Sequence, residues 1–460
     1  MRVNLKRAHL LTLTAICLLI LSTGCSERDL TGLDVARAKI DPLVFDEAYG
    51  EDVYFQAFSG TDIYAAGIDS IYAFGSSKSL KISVPPEGSA LGAYAGGVLT
   101  SVAGRDHADF NALTFYARTN LENCTLDVAG FGNDNTGTSK YKASRSAVPL
   151  TPDWTFFIIP IPASSKLISE RGQFTFAESW EDPLGQQIWF DNIQFAKLDN
   201  ITDPFPVMPS ANKQYFVGAT AKVTGTYTRF SIDGAFVIVN HSPGYFDYTS
   251  TDPAVAKVVG DEIRVVGPGE ATVTATLDET QALGSVTLQA FQAPTTAAPS
   301  PTLPAGDVIS MFSDVYEDRR IDSWNPFWGG STTQVDDFVV EGDNAKVYST
   351  LNWVGIVFTS QKVDASEMTH LHLDVFAPAG TNFNVKVVAY GSADDDNSDH
   401  EPELQFNAES TPAFVAGEWS SLDIPLDDFQ LAVPWDYIGM IVLSTSDARL
   451  VLVDNIYWHK

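Results

Sequence analysis

Trp324 and Trp328 stand four residues apart in a stretch of Ser, Asn, Pro and Gly. Those residues favour turns over strands, so the spacing predicts a loop that offers both rings to solvent. Trp353 and Tyr390 are the other aromatic candidates in this part of the chain. A surface aromatic ring does the chemistry of binding: its plane covers an apolar face. Nearer the N-terminus, Tyr94, Tyr141 and Trp180 are candidates for the same role, with Asn133 and Arg145 as hydrogen-bonding partners. Trp154, Trp189, Trp419, Trp435 and Trp458 adjoin strand-like segments and are expected in cores.

Groups that break bonds are harder to find. Glu178-Ser179-Trp180-Glu181-Asp182 and the acids between Asp423 and Asp428 lack the spacing that sets two carboxylates across a glycosidic bond. There is no Gly-x-Ser-x-Gly and no His-Glu-x-x-His, and the seven His are scattered. The three cysteines are Cys17, Cys25 and Cys124. Loss of an N-terminal signal leaves Cys124 without an internal disulfide partner, and it is expected to be a small buried hydrophobe.

The elements that position these residues are β-strands. At 460 residues, 45% hydrophobic and 19% charged, the chain has material for several cores. Short alternating segments such as Ser79–Val84, Leu113–Arg118 and Ile188–Phe195 recur between Gly, Asn, Asp and Pro clusters, without sustained helical periodicity. The organisation expected is a signal peptide over 1–24, a tether over 25–41, a β-sandwich over 42–200, a smaller β unit over 203–291, a linker over 292–306 and a second sandwich over 307–460. The linker is rich in Pro, Thr and Ala, which favours an extended, semi-rigid chain. The two sandwiches share motifs in order: Leu113-Thr-Phe-Tyr-Ala with Leu371-His-Leu-Asp-Val, Val128–Gly132 with Val387–Gly391, and Phe190-Asp-Asn-Ile with Val453-Asp-Asn-Ile. They read as diverged copies of one fold. A net charge of −30 argues against a nucleic-acid partner, since phosphate binding needs clustered Lys and Arg.

Arg2, Lys6 and Arg7 precede a short apolar run, Leu10–Leu21, which leads into Leu21-Ser-Thr-Gly-Cys25. This resembles a bacterial lipobox, with Ser22 where Leu is usual. The resemblance implies lipidation of Cys25 and, because Ser26 rather than Asp follows, an outer-membrane, surface-exposed location. An ordinary secretory signal is the alternative.

Thr249–Val258 with Ile263–Ala275 resembles the bacterial Ig-like group 2 domain, which implies a spacer. The two flanking units resemble carbohydrate-binding jelly rolls of the galactose-binding-like kind, through Trp419 before Ile424-Pro425-Leu426 and through the closing Asp-Asn-Ile. The C-terminal unit resembles modules appended to marine bacterial laminarinases. The fold expected is therefore all-β, with two jelly-roll sandwiches flanking an Ig-like sandwich. The resemblance implies a non-catalytic surface lipoprotein of a polysaccharide-utilisation system. Its partners would be a polysaccharide (β-1,3-glucan or laminarin favoured), an outer-membrane importer and a SusD-like protein. An adhesin or structural envelope protein, or a hydrolase or lyase without a recognised motif, are the alternatives. A laminarinase Glu-x-Asp-x-x-Glu motif is absent. The resemblance also implies structural Ca²⁺ near the opening and closing strands, with Asp46, Glu47 and Asp191 in the first sandwich and Asp314 and Asp454 in the second. Asp394–Glu401 is a further oxygen-rich loop.

Overall fold

The computed structural model describes residues 38–392 and 398–460. The signal peptide, Cys25, most of the tether and part of the Asp394–Glu401 loop lie outside the described residues. The fold is all-β, as the alternation predicts, with strands joined by turns and short 3₁₀ segments. Among the described residues no helix is long and apolar enough to cross a membrane.

Each jelly roll has two facing sheets, and the closing-strand sheets of the two rolls are wired identically. In the first, the sheet holding the closing strand runs Ala66–Asp69, Ser79–Val84, Gln186–Ala196, Ala112–Thr119, Thr155–Pro160, with Leu43–Phe45 also paired to Gln186–Ala196. In the second it runs Gln334–Val340, Asp343–Ser349, Leu450–His459, His370–Phe376, Trp419–Pro425, with Val308–Phe312 paired to Leu450–His459. The opposing sheets match in four positions, and the first adds an edge strand, Val53–Ala57, beside Tyr94–Arg105. Tyr94–Arg105, Glu170–Ser179, Cys124–Phe131, Ala143–Leu150 correspond to Trp353–Val357, Ile438–Ser444, Phe383–Tyr390 and the edge strands Ser398–His400 and Glu403–Phe406. The shared Asp-Asn has a local cause. Asn192 and Asn455 both sit at φ 49, where the closing strand shifts register, and Asn tolerates this left-handed conformation better than most residues.

Alternation sorts the side chains. On Ala112–Thr119, Leu113, Phe115 and Ala117 are buried, and Phe115 meets Phe174 and Phe190 at ring distances of 5.3 and 5.8 Å. On Phe383–Tyr390, Phe383, Val385, Val387 and Ala389 enter the core, while Asn384 and Lys386 face outward.

The middle of the chain is built differently from a free spacer. Residues 211–291 form two small sheets around Ala271, Val273 and Ala275. Three strands from this part of the chain, Ile201–Val207, Tyr227–Ile232 and Ala235–His241, instead extend the first jelly roll's opposing sheet, pairing through Asn240↔Ser144 and His241↔Ala143. They cover an edge, Ala143–Leu150, that would otherwise present unpaired backbone groups. Pro149, which has no N–H, and Ala147 at φ 53 confine the pairing to one end of that edge.

The linker does not hang free. Ala298 is buried, Trp419 Nε1 donates to Thr296 O at 2.9 Å, and Asn455 Nδ2 donates to Pro299 O at 3.2 Å. Phe216 of the middle unit packs with Val340, Phe376, Leu450 and Leu452 of the second jelly roll, with Trp419 at its margin. Trp419 therefore serves this junction rather than the sandwich core, whereas Trp458 is fully buried as expected.

Candidate functional site

The outer face of the second jelly roll's opposing sheet gathers three sequence candidates. Trp353 opens its strand with Val354 and Ile356 pointing inward, so its ring points out. Trp328 stacks on it, centroids 5.6 Å apart and planes 23° apart. Trp328 lies flat on the sheet because residue 355 is Gly: a Cβ there would sit 2.4 Å from Trp328 Cη2. Tyr390 uses the same device farther along the face, since a Cβ on Gly439 would meet its ring at 2.5 Å. It stands six residues from Asn384 on one strand, about 20 Å away, and its ring is buried with Lys362 Nζ 4.5 Å from its centre.

The loop carrying Trp328 is braced by side-chain bonds. Asn352 Oδ1 accepts from Thr332 N at 2.9 Å, Asn352 Nδ2 donates to Gly330 O at 3.0 Å, and Ser331 Oγ donates to Trp353 O at 2.7 Å. Asn325 Nδ2 reaches Thr333 O at 2.8 Å, and Asn325 Oδ1 receives Phe327 N at 2.9 Å. Phe327 is held at φ 55 and is 72% exposed. A bulky residue in that backbone region is strained, and strain of this kind collects at functional sites.

Beside Trp353 lies a groove of about 440 Å³. Its floor and wall include Asn384, Lys386, Val442, Ser444 and, from the edge strand, Glu403 and Gln405. Asn384 Nδ2 donates to Ser444 Oγ at 3.1 Å, but Asn384 Oδ1 is buried and has no hydrogen-bond partner among the described residues. A buried acceptor left unmet is costly, and turning the Asn384 amide toward the groove it lines would relieve that cost. Among the described residues Glu403 is the one carboxylate lining the groove, which does not supply the pair that glycoside hydrolysis needs. Sequence reading missed Asn384, Gln405, Ser444 and Phe327. The period-two pattern of Phe383–Tyr390 carried the signal for Asn384; the others are contributed by distant segments.

Trp324 does not join this group. It lies against the closing-strand sheet, edge-on to Phe312 at 5.5 Å and with Lys346 Nζ 4.8 Å from its ring. The first jelly roll scatters its candidates. Tyr94 rests over Gly60 and Gly96, and its hydroxyl donates to Ser59 O at 2.8 Å. Trp180 packs half-buried on the core. Tyr141 is taken up by Tyr245, ring to ring at 5.4 Å, and its carbonyl accepts the Tyr245 hydroxyl at 2.9 Å. Arg145 turns inward to donate to Ile158 O at 3.0 Å, and burial lowers its pKa. Asn133 rims a hollow described below. Trp154 and Trp189 flank Arg118 on the outer face of the closing-strand sheet, 6.0 and 5.5 Å from its guanidinium; Trp189 is buried there as expected, whereas Trp154 is half-buried.

The carboxylates expected near the opening and closing strands are close together in both rolls. In the second, Asp314 accepts Asn344 N and Nδ2, both at 2.9 Å, and these bonds hold its pKa down. Asp343 neighbours both Asp314 and Asp454, and burial with the charge of Asp314 raises its pKa. Asp454 is buried, and burial together with Asp343 and Asp374 pushes its pKa up to about 8. Asp374 is buried as well and accepts Asn455 Nδ2 at 2.9 Å. In the first roll, Glu47 accepts Ser77 Oγ at 2.5 Å and Ser77 N at 2.9 Å. Asp191 is buried and accepts Phe74 N at 2.7 Å, with the charge of Asp46 nearby; burial raises its pKa. These are hard oxygen donors, the chemistry that suits a cation such as Ca²⁺. In the second roll they form a chain from Asp314 through Asp343 to Asp454.

Cys124 is buried, and its thiol donates to Glu178 Oε1 at 3.2 Å. Cys124, Glu178 and Glu181 bring ligand atoms within 4.8 Å of one another.

One consequence is directly testable. Gly355→Val should displace Trp328 from the sheet and change the near-UV circular dichroism contributed by the stacked indoles. The clash is with a ring on the outer face, so the core should remain packed and the far-UV circular dichroism unchanged.

No protein-family model matches the chain, and neither does any curated protein. Among solved structures it is similar to a family 30 carbohydrate-binding module of a Clostridium thermocellum cellulosomal cellulase, at 18% identity over 35% of this chain and 96% of that one, with a TM-score of 0.24. A family 11 module from C. thermocellum, in complex with a β-1,3-1,4-mixed-linked tetrasaccharide, matches at 14% identity over 36% and 98%, with a TM-score of 0.24. A tandem pair of family 22 modules from Paenibacillus barcinonensis Xyn10C matches at 13% identity over 93% and 100%, with a TM-score of 0.23.

Proposed function

We propose that the protein is a non-catalytic glycan-binding lipoprotein that holds polysaccharide at the cell surface. The observation that carries this reading is the stacked Trp328–Trp353 pair beside Asn384, whose buried Oδ1 has no partner. A pyranose ring has an apolar face of C–H groups and a rim of hydroxyls. The tryptophan planes take the face, and Asn384, Ser444 and Gln405 take the rim. The favoured ligand is β-1,3-glucan, by the resemblance of the C-terminal unit to laminarinase modules. The net charge of −30 disfavours polyanionic glycans. Cys25 would carry the lipid, and an importer with its SusD-like partner would receive the glycan. Structural Ca²⁺ would be held by Asp343 and Asp454 with Asp314 in the second roll, and by Asp191, Asp46 and Glu47 in the first. Its charge would offset the repulsion among these carboxylates.

The test is electrophoresis of the mature protein through gels containing laminarin, mixed-linkage glucan, xylan or alginate, with reducing ends assayed in the same samples. Retardation by laminarin without new reducing ends is the expected result. Unchanged migration in every gel overturns the glycan reading, and new reducing ends overturn the non-catalytic one. Palmitate labelling that survives Cys25→Ser would overturn Cys25 as the lipid-bearing residue.

A further inference from the structure

The extended sheet of the first jelly roll creates a surface that neither unit has alone. Its rows can be followed through the register. Gln56 pairs with Val98, Val98 with Thr175, Thr175 with Gly130, Gly130 with Ser144, Ser144 with Asn240, and Asn240 with Tyr227. Directly paired residues share a face, so this row crosses from the jelly roll onto the hairpin Tyr227–His241 without changing sides. Asn240 Nδ2 donates to Ser146 Oγ at 3.2 Å across that junction.

Over the junction lies a hollow of about 390 Å³. Gly130 contributes bare backbone, Ser144 and Thr175 contribute small side chains, and Asn133, Lys142 and Asn240 supply polar groups from both units. Among the described residues, no hydrogen bond engages Asn240 Oδ1, Asn133 Nδ2 or Lys142 Nζ. The junction is rigidly tied. Lys142 N donates to Ser242 Oγ at 3.1 Å, Lys140 Nζ meets Asp261 at 2.6 Å, and the Tyr245 hydroxyl bonds Tyr141 O.

Farther along the same face of the hairpin is an aromatic stack. The Arg229 guanidinium lies between the rings of Phe205 and Phe236, 4.8 and 4.5 Å from their centres. Arg229 Nε is buried without a partner among the described residues. Phe236 is 66% exposed. Phe236 and Asn240 are four residues apart on one strand, about 13 Å, and so face the same way.

We propose that this composite surface is a second glycan site, in which the hairpin of the middle unit supplies Asn240 and Phe236 and the jelly roll supplies Asn133 and Ser144. This rests on the glycan-binding reading above. The occupant is a neutral polysaccharide segment lying along the hairpin strand: its hydroxyls meet the unbonded amides in the hollow, and a ring face meets Phe236. The middle unit is then part of a binding site as well as a spacer.

The test uses the full mature chain and the glucan gels described above. Wild type is compared with Trp353→Ala, with Asn240→Ala/Phe236→Ala, and with the triple variant. Both added substitutions remove exposed side chains, and unchanged thermal unfolding confirms the fold. Trp353→Ala should retain residual retardation, and the triple variant should lose it, with the dissociation constant rising at least tenfold. If Trp353→Ala alone abolishes retardation, or the triple variant migrates as Trp353→Ala does, the second site does not exist. If wild type itself is never retarded, the glycan reading falls and takes this one with it.

Discussion

Trp353→Ala will leave the protein folded and cost the second jelly roll most of its hold on β-glucan, a 10- to 100-fold rise in dissociation constant. Two losses combine. The Trp353 ring no longer offers a plane to the sugar, and Trp328 loses the surface that fixes its own plane 5.6 Å away. An aromatic contact contributes ~0.5–1.5 kcal/mol beyond area burial, and each ~1.4 kcal/mol is tenfold in affinity. Trp328→Ala should have nearly the same effect, and the double variant should add little to either. Such non-additivity is the mark of two groups acting as one platform. The control is Trp324→Ala. Trp324 is as rich in ring surface but belongs to Phe312 and Lys346 on the other sheet, so its loss should leave retardation unchanged. Equal loss of binding in Trp324→Ala and Trp353→Ala would mean that the groove beside Trp353 is not the site.

The contrast between Trp324 and Trp328 shows where sequence reading stops. Both lie in one turn-rich loop, and residue type and spacing treat them alike. What separates them is Gly355, which lies flat under one ring, and Lys346, which covers the other. Those partners are fixed by tertiary register, not by neighbours in the chain. The same limit applies to Arg145 and Tyr141. A lone Arg in a polar strand reads as exposed, yet Ile158 O draws it inward, and Tyr141 is taken up by a residue 104 positions away. By contrast, the strands and the duplicated wiring were legible because alternation and backbone chemistry are local. The repeated Asp-Asn is the clearest case: its meaning, an Asn in a left-handed bend beside a buried Asp, is written in two adjacent residues. The hairpin that extends the first sheet was not legible, because an uncovered edge strand leaves no mark on the sequence that will cover it.

Calcium should stabilise the second jelly roll, and the gain should grow as pH rises. The sign follows from Asp454. Its folded pKa, about 8, lies above the ~3.9 of an unfolded Asp because burial and the carboxylates of Asp343 and Asp374 oppose its charge. Between those values the native state holds a proton that the unfolded chain has released. Stability from this group is therefore complete below the unfolded pKa and is lost progressively as pH rises through 8. A divalent cation reverses the preference, because it binds the deprotonated carboxylates and takes the proton's place. Calorimetry of the full chain in chelator should show the second roll's transition falling between pH 5 and 8. Calcium at about 100 times its dissociation constant contributes ~2.7 kcal/mol, or ~5–10 °C for a unit of this size, and the shift should be largest at pH 8. Asp454→Asn keeps the shape, removes the titration and weakens the cation site. Its metal-free transition should exceed that of wild type at pH 8 and respond little to calcium. His372, whose Nε2 lies 3.5 Å from Asp374, is the nearest competing cation; its carboxylate neighbours Asp374 and Asp423 raise its pKa against the opposing effect of burial, and its protonated form partly relieves the same repulsion. That is a further reason for the calcium effect to concentrate at high pH. A transition indifferent to calcium at pH 8 in wild type would leave Asp343 and Asp454 as a proton-sharing pair and remove the cation from the account.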